Sequence, residues 1–134
     1  MSFPDLIRGE EELLKRLLLV SQRQLEIVRA GDGALLLQHL GKRQQLWNEF
    51  ELLEQQLAPH KGLPPEHRVW DSAEERQQTE ATLNRCKELM AEILTNDETS
   101  LVLAAEQKNE AAEQLRRIQQ GGSAAVAYRR QSLG

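Results

Sequence analysis

The sequence predicts an all-α fold, an antiparallel helical bundle or long helical hairpin of three to four helices, on three observations. Aromatic residues make up 4% of the 134 residues and charged residues 28%, with Leu, Glu, Gln, Arg and Ala recurring throughout, a composition that helices favour and sheets do not. Apolar residues return at spacings of three, four and seven, which places them along one side of a helix. Helix-breaking glycines and prolines gather at 31–33, 58–68 and 121–122, leaving long uninterrupted segments between them. The length suits one domain with a modest core.

The first helix is expected over about 5–30, where Leu6, Leu13, Leu14, Leu17, Leu18, Leu25 and Val28 share a broad face. Gly31 then stands where a helix C-terminus takes positive φ, and Asp32 where the next helix wants a side-chain acceptor for its free N–H groups. A phosphate-cradling loop would need a preceding strand and a longer glycine pattern. With leucine-rich helix on both sides, "AGDG" reads as a corner between antiparallel helices.

The second helix is expected over about 33–58, with Leu36, Leu40, Trp47, Phe50 and Leu57 near one face and Leu46 and Leu53 beside it. Trp47 and Phe50 are read as core anchors, the alternative being an exposed protein-binding hot spot. The segment "APHKGLPPEHR" holds three prolines and a glycine, so residues 59–70 form a hinge through which no helix continues. His60 and His67 are read as solvated; His39 lies in a separate helix, and no spacing among the three suggests a metal site.

The third helix is expected to run unbroken over 72–120, the alternative being two helices with a break near Asn96. Asp71 or Ser72 with Glu74 or Glu75 makes a capping box, and neither proline nor glycine occurs before Gly121. Its stripe of Leu83, Cys86, Met90 and Ile93 fades at "TNDET", read as an exposed waist, and resumes with Leu101, Ala104, Ala105, Ala112, Leu115 and Ile118. Residues 1–122 thus make a single domain, and 123–134 a tail expected to be mobile.

Net charge is −4 with a pI near 5.4, so no positive field draws the chain to nucleic acid or an anionic membrane. Arg116, Arg117, Arg129 and Arg130 make a basic end, but without an aromatic platform. The single cysteine, Cys86, cannot form an internal disulfide and reads as core filler. The N-terminal segment has charges between its leucines and no signal-like apolar run, which places the protein in the cytoplasm. No nucleophile elbow, HExxH, CxxC or P-loop occurs. Hence no enzyme activity, catalytic residue, cofactor or metal is expected. The many acids are read as solvated faces paired with nearby bases, Glu11 with Lys15 and Glu113 with Arg116 and Arg117.

What remains is an alanine stripe, Ala104, Ala105, Ala111 and Ala112, where other stripes carry leucine. Small residues admit a close neighbour. That neighbour is either helix one or two of this chain, or an amphipathic helix of a partner.

The run "LLLVSQRQLEIVRAGDGALLLQHLGKRQQLW", a Pro-rich loop, and "LMAEILTNDETSLVLAAEQKNEAAEQLRRIQQGGSAAVAYR" together resemble flagellar export chaperones of the FlgN and FliT type. The features shared are the "AGD" corner, "LGKRQQLW" at Leu40 to Trp47, the "ILTND" turn and the "AAVAYR" end. The resemblance implies a cytoplasmic helical chaperone of type III export that binds the C-terminal amphipathic helix of a hook-associated or filament-cap subunit. It would prevent premature assembly and bring the subunit to the export apparatus. Partner binding would then map to Leu101, Ala104, Ala105, Ala111, Ala112, Leu115, Ile118 and Tyr128. Two readings stand beside it: a homodimeric coiled-coil or bundle scaffold, and a regulatory binding protein.

Overall fold

A computed structural model describes residues 2–107 and 110–120, except for the side chains of Pro65, Ala112 and Gln120. It contains α1 (Phe3–Ala30), α2 (Gly33–Lys61), α3 (Ala73–Ala105) and α4 (Glu110–Gln120), with a short 3-10 turn at Pro65–His67 between α2 and α3. No strand occurs among the described residues. The helices pack as an up-down-up bundle closed at one end by α4.

Local chemistry sets most of the boundaries. Ser2 caps α1 by accepting a hydrogen bond from the Asp5 N–H, and Pro4 fits the first turn, where its missing N–H is no loss. The helix therefore begins two residues earlier than expected. Gly31, at φ 70°, ends it, and its N–H reaches the carbonyls of Ile27 and Val28. Asp32 caps α2 by accepting from the Leu35 N–H, so the Gly-Asp-Gly stretch is a corner.

The hinge begins later than the prolines suggest, because α2 passes through Pro59 to Lys61. Two tertiary contacts hold that last turn: the His60 ring stacks on Phe3 at 5.5 Å, and Lys61 reaches back to Glu54. His60 is thus half-buried rather than solvated, whereas His67 is exposed. Ser72 then caps α3 by accepting from the Glu75 N–H, and the Glu75 carboxylate accepts from the Asp71 N–H.

Along each long helix one series of buried positions is spaced four and three residues apart, the 3.5-residue period of coiled-coil packing, with Leu6, Glu11, Ile27, His39 and Thr82 buried beside it. On α1 the spaced positions are Phe3, Ile7, Glu10, Leu14, Leu17, Ser21, Gln24 and Val28. On α2 they are Leu36, Leu40, Arg43, Trp47, Phe50 and Leu57, and on α3 Thr79, Cys86, Met90, Ile93, Asp97, Ser100 and Ala104. Cross-links fix the directions. Glu11 meets Arg85, Ser21 meets Asn96 and Val28 meets Gln107, so α3 runs parallel to α1. Phe3 meets His60 and Gln24 meets Arg43, so α2 runs antiparallel to both.

The apolar positions fall into three sections. Phe3, Leu6, Ile7 and Leu57 fill one end, with Trp70 and Leu83 against them. Leu14, Leu17, Trp47, Phe50, Cys86, Met90 and Ile93 fill the middle. Ile27, Val28, Leu36, Leu40, Ala104, Ala111 and Leu115 fill the other end. Trp47 and Phe50 meet edge to face at 5.5 Å inside the middle section, which decides for core anchors.

The third helix differs from its expected course. Through "TNDET" it stays continuous, but not as a wholly exposed waist: Asp97 within it and Ser100 just after it are buried, while Thr95 and Glu98 face solvent and the Thr95 and Thr99 hydroxyls donate to carbonyls one turn back. It then ends at Ala105, so the expected single helix over 72–120 is two. No proline or glycine makes this break; packing does. Gln107 lies level with Val28, near the end of α1, and a straight helix from there to residue 120 would carry its apolar stripe about 20 Å into water. Instead the last turn closes on bonds from the Glu106 and Gln107 N–H groups to Leu103 and Ala104. Gln107 ties the turn to α1 by donating from Nε2 to the Val28 carbonyl at 2.7 Å, and α4 brings Ala111 and Leu115 back onto the core. The 123–134 tail lies outside the described residues.

Ala104 is fully buried and its neighbour Ala105 is exposed, which makes a paired test. Ala104→Glu is expected to lower unfolding free energy by about 3 kcal/mol or more, because the charge has no partner there. Ala105→Glu should stay within about 0.5 kcal/mol of the parent. Urea denaturation followed by circular dichroism measures both, and equal losses would contradict the placement of the stripe.

Candidate partner-binding surface and its buried polar layers

Of the residues that the sequence marks for partner binding, the structure brings four together. Ala104, Ala111 and Leu115 are buried in the end section with Ile27, Val28, Leu36 and Leu40, and Ile118 packs against them half-buried. Leu101 is half-buried outside this cluster and Ala105 is exposed. The Ala112 side chain and Tyr128 lie outside the described residues. At Ala104 the stripe is closed by α4, which covers the ends of α2 and α3, while Ala105 faces solvent.

Next to this covered section lies a polar layer that pattern reading missed. Arg43 of α2 donates from Nη1 and Nη2 to the two carboxylate oxygens of Asp97 on α3, at 2.7 and 2.8 Å. Both side chains are almost wholly buried. Nη1 also donates to Gln24 Oε1 of α1 at 3.3 Å, so one guanidinium joins all three long helices. Its carbon lies 5.6 Å from the centre of the Trp47 ring, near the reach of a cation–π contact. Asn96 donates to the Ser21 hydroxyl, which donates in turn to the Leu18 carbonyl. His39 sits buried with Nε2 2.9 Å from the Val20 carbonyl, to which only a protonated Nε2 can donate. Burial, ahead of nearby positive charges, lowers its pKa, so the neutral ring with the proton on Nε2 prevails at neutral pH.

The layer is not saturated. Gln24 Nε2, Arg43 Nε, Trp47 Nε1 and the Ser100 hydroxyl are all buried and make no hydrogen bond. The signal for this layer was present in the sequence. Gln24, Arg43, Asp97 and Ser100 occupy heptad positions that coiled-coil cores normally fill with apolar residues.

A second polar layer separates the middle section from the Phe3 end. Lys61 donates from Nζ to the Glu54 carboxylate at 3.2 and 3.4 Å and stands 3.8 Å from Glu10 Oε1. Glu10 is completely buried, and neither oxygen meets a donor within hydrogen-bond distance. Burial, then the Glu54 carboxylate, push its pKa up to about 9, against the opposing pull of Lys61. At neutral pH Glu10 is therefore protonated, while Lys61 pairs with the Glu54 carboxylate. Burial, followed by the Glu10 and Glu11 charges, pushes the Cys86 thiol up to about 12, which leaves it an inert filler.

Glu11 pairs across the bundle with Arg85, not with Lys15 along its own helix, because α3 runs beside it; Lys15 bonds Glu12 instead. The Arg85 contact lowers the Glu11 pKa against the opposing effect of burial. Glu113 and Arg116 pair as the spacing suggests. Among the described residues no three His, Cys, Asp or Glu side chains converge as a metal site would require. No helix among them is long and apolar enough to cross a membrane.

No protein-family model, no curated protein and no solved structure matches this chain.

The sign of the Glu10 contribution follows from linkage. Its pKa rises from 4.5 to about 9 on folding, so between these values the folded chain binds more protons than the unfolded one, and stability falls as pH rises. The contribution is full below about pH 4.5 and lost through about pH 9. Glu10→Gln keeps the shape without the charge and is expected to be more stable than the parent at pH 9, by about 4 °C or more in Tm. The advantage should vanish near pH 5; an advantage independent of pH would contradict a protonated Glu10.

Proposed function

We propose that this chain is a binding module that receives an amphipathic helix of a partner protein on the surface now covered by α4. One observation carries the reading. The end section of the core is completed by Ala111, Leu115 and Ile118 on an 11-residue helix separate from α3, which ends at Ala105. So short a helix has little stability of its own, and its burial depends on the surface beneath it. A longer partner helix with the same apolar spacing would cover Ile27, Val28, Leu36, Leu40, Leu103 and Ala104 equally well.

On this reading Ala104 belongs to the receiving surface and Leu101 lies outside it, whereas Ala111, Leu115 and Ile118 belong to its cover. The motifs quoted above direct the choice of partner to the C-terminal segment of a flagellar hook-associated or filament-cap subunit, handed on to the export apparatus. Reversible cover of an apolar helix, which keeps a subunit from assembling early, needs complementary surface and no chemistry.

Co-purification with tagged C-terminal segments of these subunits is expected to give a one-to-one complex with one of them. Leu115→Ala removes about 2–3 kcal/mol of cover packing and should tighten that complex about tenfold or more by easing displacement. Absence of any complex, from protein shown to be folded, would overturn the reading. A complex weakened by Leu115→Ala would place the partner on α4 itself.

A further inference from the structure

We propose that this protein has a second, dimeric form in which α3 and α4 straighten into one helix over 73–120 and each copy's α4 covers the end section of the other. The partner is thus a second copy of this chain. The inference does not depend on a foreign helix taking the same surface; it rests on how α3 and α4 are divided.

Three observations carry it. Nothing local forces the division: neither proline nor glycine occurs between Ala73 and Gln120, and Glu106, where α3 ends, keeps right-handed helical angles, φ −83° and ψ −12°. Gly31, by contrast, ends α1 at φ 70°, a left-handed conformation that stops a helix. Second, the core rhythm crosses the division in phase. Met90, Asp97, Ala104, Ala111 and Ile118 follow one another at intervals of seven, and each is buried or half-buried. Separately packed helices need not keep one heptad phase, whereas a single helix must. Third, the surface that α4 would take on the other copy is the one it already fits. Leu36, Leu40 and Ala104 would meet Ala111, Leu115 and Ile118 as they do now, so the exchange of an identical element needs no new complementarity.

In a single copy the straight helix is penalised, because it carries Leu115 and Ile118 into water and bares Leu36 and Leu40. In a pair both costs disappear. Each chain then gains the backbone hydrogen bonds that the division forgoes, and α4 is propagated from α3 instead of nucleated as a short helix. A two-fold axis passing between residues 107 and 108 of both helices sets Ala104 of each copy against Ala111 of the other, since the two lie equally far from it. Their small side chains let the helices cross closely. Against the pair stands the freedom lost on association, so concentration sets the balance.

The test refolds the full chain from urea at micromolar to millimolar concentration and reads its mass by sedimentation velocity. A dimer is expected whose share rises with concentration. Dimer refolded from carbon-13-labelled and unlabelled chains should show, in isotope-filtered NMR spectra, contacts between Leu115 of one chain and Leu36 or Leu40 of the other. Glu110 opens α4, a position that accepts proline, but it would lie inside the straight helix. Glu110→Pro should therefore keep the helix content of the monomer and weaken the dimer about a hundredfold or more, whereas Glu110→Ala should leave the dimer intact. A chain that stays monomeric at millimolar concentration would overturn the inference, as would a dimer whose Leu115 contacts stay within one chain or whose affinity ignores Glu110→Pro. Should Glu110→Pro fail to fold, the filtered spectra of the parent decide. None of these results bears on the helix-receiving reading, which co-purification tests separately.

Discussion

One buried ion pair, Arg43 with Asp97, constrains where every long helix of this protein can lie. Taking both charges out of water is expensive, and only their close two-bond geometry, with Gln24 as third partner, offsets it. The apolar positions alone would tolerate a slip, since leucine against methionine is much like leucine against isoleucine. A slip of α3 by one heptad would set Met90 or Ala104 opposite the guanidinium and leave a charge buried without a counter-charge. The pair therefore contributes register more than net stability, the role buried polar residues have in coiled coils.

The Glu10, Glu54 and Lys61 layer repeats the device with a different balance. There a proton, and not a second cation, neutralises the extra carboxyl. Together the two layers divide the bundle into three apolar sections, each with its own wall: the hinge residue Trp70 packs at one end, and α4 completes the other. The middle section is made by the three long helices alone. That division explains why a surface could be uncovered at the α4 end without exposing Leu14, Phe50 or Ile93. Removal of α4 takes away Ala111, Leu115 and Ile118 and leaves the polar layers bonded.

Much of this was legible in the sequence. The all-α class, the Gly31–Asp32 corner, the Ser72 cap and the central place of Trp47 and Phe50 all follow from spacing and local chemistry that act within a few residues. The ends of helices were less legible where tertiary contacts decide: α2 survives Pro59 because His60 and Lys61 are held from α1 and α2, and α3 stops at Ala105 because α1 has ended beside it. The polar layers were missed for a related reason. Arg43 and Asp97 look like ordinary surface charges until the alternation of four and three is followed through both helices, and their meeting is a pairing across 54 positions of sequence. Of the alanine stripe, Ala104 and Ala111 meet in the end section, and only the fold shows that α4 makes that contact.

A double-mutant cycle on Arg43 and Asp97 tests this account most directly. Arg43→Met and Asp97→Leu, alone and together, are compared by denaturant unfolding. Each single change should lose about 3–5 kcal/mol by stranding a buried charge, and the double should recover most of that loss because an apolar pair can fill the space. Recovery of stability with broadened amide spectra would fit a bundle that keeps its core and loses its register. Strictly additive losses would contradict the claim that these two charges answer each other across the bundle.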